Sequence, residues 1–177
     1  KGASLNAKYD TTDNKPATIE KDGVKYYLTE KAVKDDSKPE TGDVVEGKTE
    51  VTYVYEKAGQ VVVHYVDEAG NTIAEDIKDT TDGSVSSAYD TSDNKPATIT
   101  TKDGKVYVLV PTSTKGEESG KVTEGTTEVT YVYKEVTGDV VVHYVDTEGN
   151  VIAEDKEDTK GASLNAKYDT TDNKPAT

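Results

Sequence analysis

The sequence predicts a mainly β protein made of small modules in tandem, arranged end to end as an elongated rod. The first observation is a repeat. "YDTTDNKPATI" at Tyr9 returns as "YDTSDNKPATI" at Tyr89 and "YDTTDNKPAT" at Tyr168, spacings of 80 (89 − 9) and 79 (168 − 89) residues. "TEVTYVY" at Thr49 and Thr127, and "VVVHYVD" at Val61 and Val140, keep the same period, so one small unit recurs. The second is composition: there is no Cys, Met, Trp or Phe, and every aromatic is one of twelve Tyr. A thin core of Val and Tyr suits small β-modules better than one large core. The third is linker length. Only "EKAGQ" or "KEVTGD" separates "YVY" from the next "VVVHYV", and so short a connection restricts rotation between modules.

Each element follows from local chemistry. Val61 to Val66 is β-branched and aromatic, and Glu68-Ala69-Gly70-Asn71 is a turn cluster before an extended run from Thr72, which predicts a hairpin. After Gly83, "SVSSAYDTSDNKPATI" carries Asp, Ser and Asn that satisfy local backbone groups and a Pro96 that breaks a ladder, which predicts a structured loop or short edge strand. "ATITTKDGKVYVLVP" places Asp-Gly between extended runs, a second hairpin closing at Pro111. "TSTKGEESGKVTEGT" reads as a glycine-rich loop. "TEVTYVYK" supplies a last strand, with Val129, Tyr131 and Tyr133 on one face and Thr130 and Val132 on the other. In the first copy, "TEKAVKDDSKPETGD" reads as a loop with room for one helical turn before Pro39, too short and polar for a stable helix.

A longer repeat overlies the short one. Residues 160–177 match 1–18 at every position, whereas 81–98 match at ten of eighteen, so modules alternate in type over a pair about 159 residues long. A sequence that begins and ends inside such a repeat reads as a fragment of a longer array. Missing signal or anchor motifs therefore say nothing about where the parent resides.

Charge excludes several partners. Thirty-five Asp and Glu against 21 basic residues, all Lys, give a net charge of −14 and no Arg for bidentate phosphate or base contacts, so nucleic acid is not expected as a partner. No apolar run approaches the roughly 20 residues of a membrane helix, and no membrane insertion is expected of this segment. The absence of Cys rules out disulfides and is compatible with a cytosolic or an extracellular home.

A module that opens with "VVVHYVDEAGNTIAED", passes a Tyr-Asp loop, carries "DGKVYVLV" and closes on "TEVTYVY" resembles the mucin-binding-protein repeats of Gram-positive surface proteins. The paired long repeat is similar to the streptococcal surface repeat, the fibronectin-binding repeat of pneumococcal adherence and virulence factor B. The resemblance covers the whole chain. It implies β-grasp-like modules in an extracellular, cell-wall-anchored adhesin that binds host matrix proteins, fibronectin foremost, with mucin or other host glycoproteins as alternatives. It supplies no binding residue. It also favours a frame in which 60–136 is a complete module, 1–57 a partial one and 139–177 the start of another; the alternative frame is 1–79, 80–159 and an overhang at 160–177.

The candidate sites have plainer explanations. His64 and His143 occupy equivalent places beside Tyr65 and Tyr144 on different modules, so they do not meet, and each reads as a strand histidine. Asp10, Asp13 and Asn14, with Asp90, Asp93 and Asn94, offer oxygen ligands but lack the spacing, central Gly and closing Glu of a helix-flanked calcium loop; capped turns explain them better. An intramolecular Lys–Asn isopeptide bond has few strand lysines to draw on. With no Cys and no nucleophile turn, no enzyme is expected, and no catalytic, cofactor-binding or metal-ligating residue is assigned. The tyrosine-rich strands are needed for the core rather than as an exposed aromatic ladder. Multivalent adhesion is thus the leading function, a stalk that projects another domain the second, and glycan binding, without Trp, the third.

Overall fold

The computed structural model of the protein describes residues 7–176. The described chain is mainly β, with fourteen strands, four short 3-10 turns and no α-helix. The strands are β1 (Lys8–Asp10), β2 (Thr18–Lys21), β3 (Val24–Val33), β4 (Thr41–Asp43), β5 (Tyr53–Lys57), β6 (Gly59–Asp67), β7 (Thr72–Gly83), β8 (Ala88–Asp90), β9 (Thr98–Thr100), β10 (Val106–Leu109), β11 (Ser119–Lys121), β12 (Gly125–Glu135), β13 (Thr137–Val145) and β14 (Val151–Ser163). They form small sheets. The largest has the order β7-β6-β12-β10-β9; the others are β2-β3-β5, β1-β4, β11-β8 and β13-β14.

Turn chemistry sets the hairpins. Between β2 and β3, Asp22 and Gly23 both have positive φ, 53° and 78°, the twist that a two-residue hairpin requires and that Asp-Gly tolerates. Between β6 and β7, the amides of Ala69 and Asn71 donate to Asp67 Oδ1 at 2.9 and 2.8 Å, which closes the turn around Gly70. Asp146 repeats this with Glu148 and Asn150 between β13 and β14.

Two predicted loops contain strands. In "TSTKGEESGKVTEGT", β11 pairs with β8, Ser119 opposite Asp90 and Lys121 opposite Ala88, and Lys115 bridges Thr130. In the first copy β3 runs on to Val33, Lys34 to Ser37 is a single turn closed by the Ser37 amide on the Lys34 carbonyl, and β4 pairs with β1. Three-residue polar strands carry no alternation to read, and their partners lie about thirty residues away, beyond any local pattern.

The described chain divides into two compact units. The first comprises Lys1–Val62, Lys78–Thr91 and Glu117–Glu128. Its fully buried side chains include Val61, Val122 and Thr91, and the Thr91 hydroxyl donates to the Glu118 carbonyl at 2.8 Å, which is how a polar group is tolerated there. The second comprises Val63–Ile77, Ser92–Gly116 and Val129–Thr177. Val63, Val129, Tyr131 and Tyr133 are inaccessible to solvent within it, and Tyr65 and Tyr107 nearly so. The Tyr65 ring lies 6.4 Å from Tyr131 and 6.3 Å from Tyr133, tilted in both cases, an arrangement that adds to the burial of these large side chains. Tyrosine does here what Phe and Leu do in richer cores.

Candidate functional site

The segment that recurs most closely, "YDTTDNKPAT", forms the same structure each time: a short extended piece, a 3-10 turn and an exit through Lys-Pro. The turn spans Thr12–Asn14, Ser92–Asn94 and Thr171–Asn173. Asp10 starts the first copy, its Oδ1 accepting the Thr12 hydroxyl at 2.6 Å and the Thr12 amide at 2.8 Å. These two donors hold its carboxyl below the usual carboxylate range, the hydroxyl most. Asp169 makes the same pair of contacts with Thr171. The aspartate is thus committed to the loop's own backbone, as the capped-turn reading expects.

Tyrosine hydroxyls fasten the loop to the sheets. Tyr65 donates to the Asn94 carbonyl, and Tyr144 to the Asn173 carbonyl at 2.5 Å. Tyr55 donates to Pro16 O at 2.7 Å and Tyr133 to Pro96 O at 2.7 Å. At the other end, Tyr9 reaches Pro39 O at 2.8 Å and Tyr89 reaches Glu117 O at 2.8 Å. The loop lysine is accounted for as well. Lys15 Nζ lies 5.9 Å from the Tyr53 ring centroid and Lys95 Nζ 5.9 Å from that of Tyr131, so each cation covers a strand tyrosine. Lys15 also pairs with Glu40 at 2.9 Å, and that hydrogen bond is the main reason its ammonium is held above the ordinary lysine range.

The other candidates stay apart. His64 Nδ1 lies 2.8 Å from Asp76 Oδ1, and His143 Nδ1 2.8 Å from Asp155 Oδ1. Each is a cross-strand pair within one hairpin rather than a two-histidine site. Along β13 and β14, Val142 faces Lys156 and Tyr144 faces Ala153, and the register shift between them brings Asp155 beside His143. The sequence signal for these pairs was a His and an Asp twelve residues apart in both copies. In the acidic cluster, Asn14 Nδ2 sits 3.4 Å from Asp13 Oδ1 while Asp10 serves Thr12. Among the described residues, no group of three or more His, Asp or Glu side chains is placed to hold a metal ion. No helix of the described chain is long and apolar enough to cross a membrane.

The tyrosine strands divide between inside and outside. Tyr131, Tyr133, Tyr65, Tyr89 and Tyr107 are buried, whereas Tyr168 remains 64% exposed. The geometry therefore offers a recurring loop with polar rims and a shallow surface, not an enclosed pocket with converging reactive groups.

Comparison with known proteins agrees with a repeated binding-module architecture. The chain is 42% identical over 199 aligned positions to the muramidase-released protein of Streptococcus suis, an alignment that takes in 98% of this chain but only 16% of that relative. The chain thus spans about a sixth of the length of this curated relative. The model of the MucBP domain matches three successive segments, residues 2–56, 60–134 and 139–176. With nearly every residue inside one of those three segments, the chain belongs to the MucBP domain family.

Proposed function

We propose that the chain is a piece of an adhesive array on a Gram-positive cell surface, in which each module offers a weak site for host mucin and affinity comes from the number of modules. The observation that carries this reading is the tandem match of a mucin-binding domain family along the chain. Fibronectin, the partner implied by the resemblance to the streptococcal surface repeat, is the competing ligand. A wall-attached home is supported by the relative's name, which describes a protein released by muramidase. Modules of about 75 residues with Val and Tyr cores and no disulfide offer narrow surfaces, so linking them raises effective concentration and can gain on the order of 10²–10⁴ in avidity.

The frame proposed for the modules is 60–136 as one complete unit, with 1–57 and 139–177 as parts of its neighbours. The matched segments support it, since they break at residues 57–59 and 135–138. Limited proteolysis tests the frame: a protected central fragment is expected, and cleavage near residue 80 into two stable halves refutes it.

A stalk that holds another domain away from the wall is the second reading, and one observation favours it. Most of the tyrosine hydroxyls named above point inward to backbone carbonyls, which leaves few aromatic platforms for sugar rings. Surface plasmon resonance of this chain, and of three or more long repeats joined in order, separates the readings over immobilised mucin, deglycosylated mucin and fibronectin. Saturable binding to mucin that strengthens with array length is expected. Binding to fibronectin alone would replace the ligand, and binding to none would leave the stalk.

A further inference from the structure

The two ends of the described chain are complementary parts of one module. In the central copy β6 lies between β7 and β12, and β12 continues to β10 and β9. The first copy holds counterparts of the latter group, β2-β3-β5, with β5 as the last strand of its sheet; the third holds a counterpart of the former, β13-β14. Burial reports the difference residue by residue. Tyr131 and Tyr133 on β12 are fully buried, but Tyr53 and Tyr55, at the same places on β5, are only half-buried. Val61 and Val63 on β6 are fully buried, but Val140 and Val142 on β13 are half-buried. Apolar area also stands open on the third copy, where Val145 is 51%, Val151 74% and Ile152 68% exposed.

A further contrast comes from Gly59 and Gly138, which occupy equivalent places. A Cβ on Gly59 would lie 2.0 Å from the Thr123 carbonyl oxygen, whereas a Cβ on Gly138 would meet nothing within 4 Å. The segment that crowds the strand in the central copy has no counterpart beside β13. An open cleft of about 560 Å³ remains there, lined by Tyr144, Ala153, Asn173 and Pro175 among others.

We propose that the β13 edge of one copy of this chain docks on the β5 edge of a second copy, completing a module between them. The surface that would form continues one already present in the molecule, the contact of β6 with β12 in the central module. Side-chain chemistry matches because residues 160–177 repeat 1–18. Tyr144, which donates to the Asn173 carbonyl in its own chain, finds the same acceptor in Asn14 of the second copy. One of the two identical loops is then redundant and is released. Each copy has one donor end and one acceptor end, so the contact is heterologous and the assembly grows as an open chain rather than closing as a dimer. A net charge of −14 on each copy opposes it, and added salt strengthens it. This goes beyond ligand binding and stands whether mucin binds or not.

Sedimentation equilibrium of the whole chain tests it from about 10 μM to about 1 mM, the span over which an association of a few kcal/mol is read. The expected result is a mass that rises with concentration past the dimer, more steeply at 500 mM than at 50 mM salt. Val142→Asp on β13, with unchanged far-ultraviolet circular dichroism, is expected to weaken self-association at least about tenfold by burying a charge at the contact. Val51→Asp, just before β5, is expected to do the same from the other end. Mixing the two variants is decisive even where a substitution loosens its own end, because each still carries the opposite end intact. The mixture is expected to form a one-to-one dimer and stop there. A wild type that stays monomeric overturns the proposal, as does a Val142→Asp chain that associates like wild type or a mixture that remains monomeric.

Discussion

The Tyr133 hydroxyl donates to the carbonyl oxygen of Pro96 at 2.7 Å, and this one bond joins the last strand of the central module to the exit of its recurring loop. Proline follows Lys95, and a proline supplies no amide of its own to a ladder, so its carbonyl is the group left for the sheet to hold. Tyr55 and Pro16 repeat the bond at 2.7 Å.

Tyr133→Phe keeps the ring and removes the bond, leaving the Pro96 carbonyl without the phenol. The expected loss is about 1–2 kcal/mol, read as a lower urea midpoint with an unchanged slope. Tyr133→Ala also empties ring volume from a fully buried place, and about 3–5 kcal/mol is expected. Equal effects of the two substitutions would show that the ring contributes nothing beyond its hydroxyl.

Alkali should destabilise the fold through the same residue. Burial, with help from Tyr65 and Tyr131 nearby, pushes the Tyr133 phenol up from 10.0 to about 12. The folded state therefore holds its proton where the unfolded chain releases it. Stability is complete below pH 10, falls as pH rises, and loses this contribution fully above about 12. Tyrosinate absorbance near 295 nm, followed with circular dichroism, should show late-titrating phenols whose ionisation coincides with unfolding. A single transition centred at 10 with the fold intact would contradict the burial argument.

Gly59 and Gly138 should respond in opposite ways to the same change. Ala at 59 would drive a Cβ into the Thr123 carbonyl and Val122, so backbone must move and a loss of several kcal/mol is expected. Ala at 138 meets open space and should fall within about 0.5 kcal/mol of wild type. Thermal melts of the two variants check this. If β13 is covered by a second copy at high concentration, Gly138→Ala should become costly there, which links this comparison to self-association.

Some of this molecule was written in local sequence. The period of the repeat, the hairpin at Asp103-Gly104 and the strand from Thr127 onward each rest on residue types within a few positions of one another, and the structure has β9-β10 and β12 there. The capping role of Asp10 was legible for the same reason, since Thr12 lies two residues away. Tertiary structure decided what depended on distant partners. The pairing of β8 with β11, the carbonyl chosen by each tyrosine hydroxyl, and the stacking of Lys95 on Tyr131 join residues some thirty or more positions apart, and no periodicity within either partner encodes them. The half-buried state of Tyr53 and Val142 belongs to the same class. Their sequences equal those of fully buried neighbours one module along, and burial differs because it is a property of what lies across from a residue, not of the residue itself.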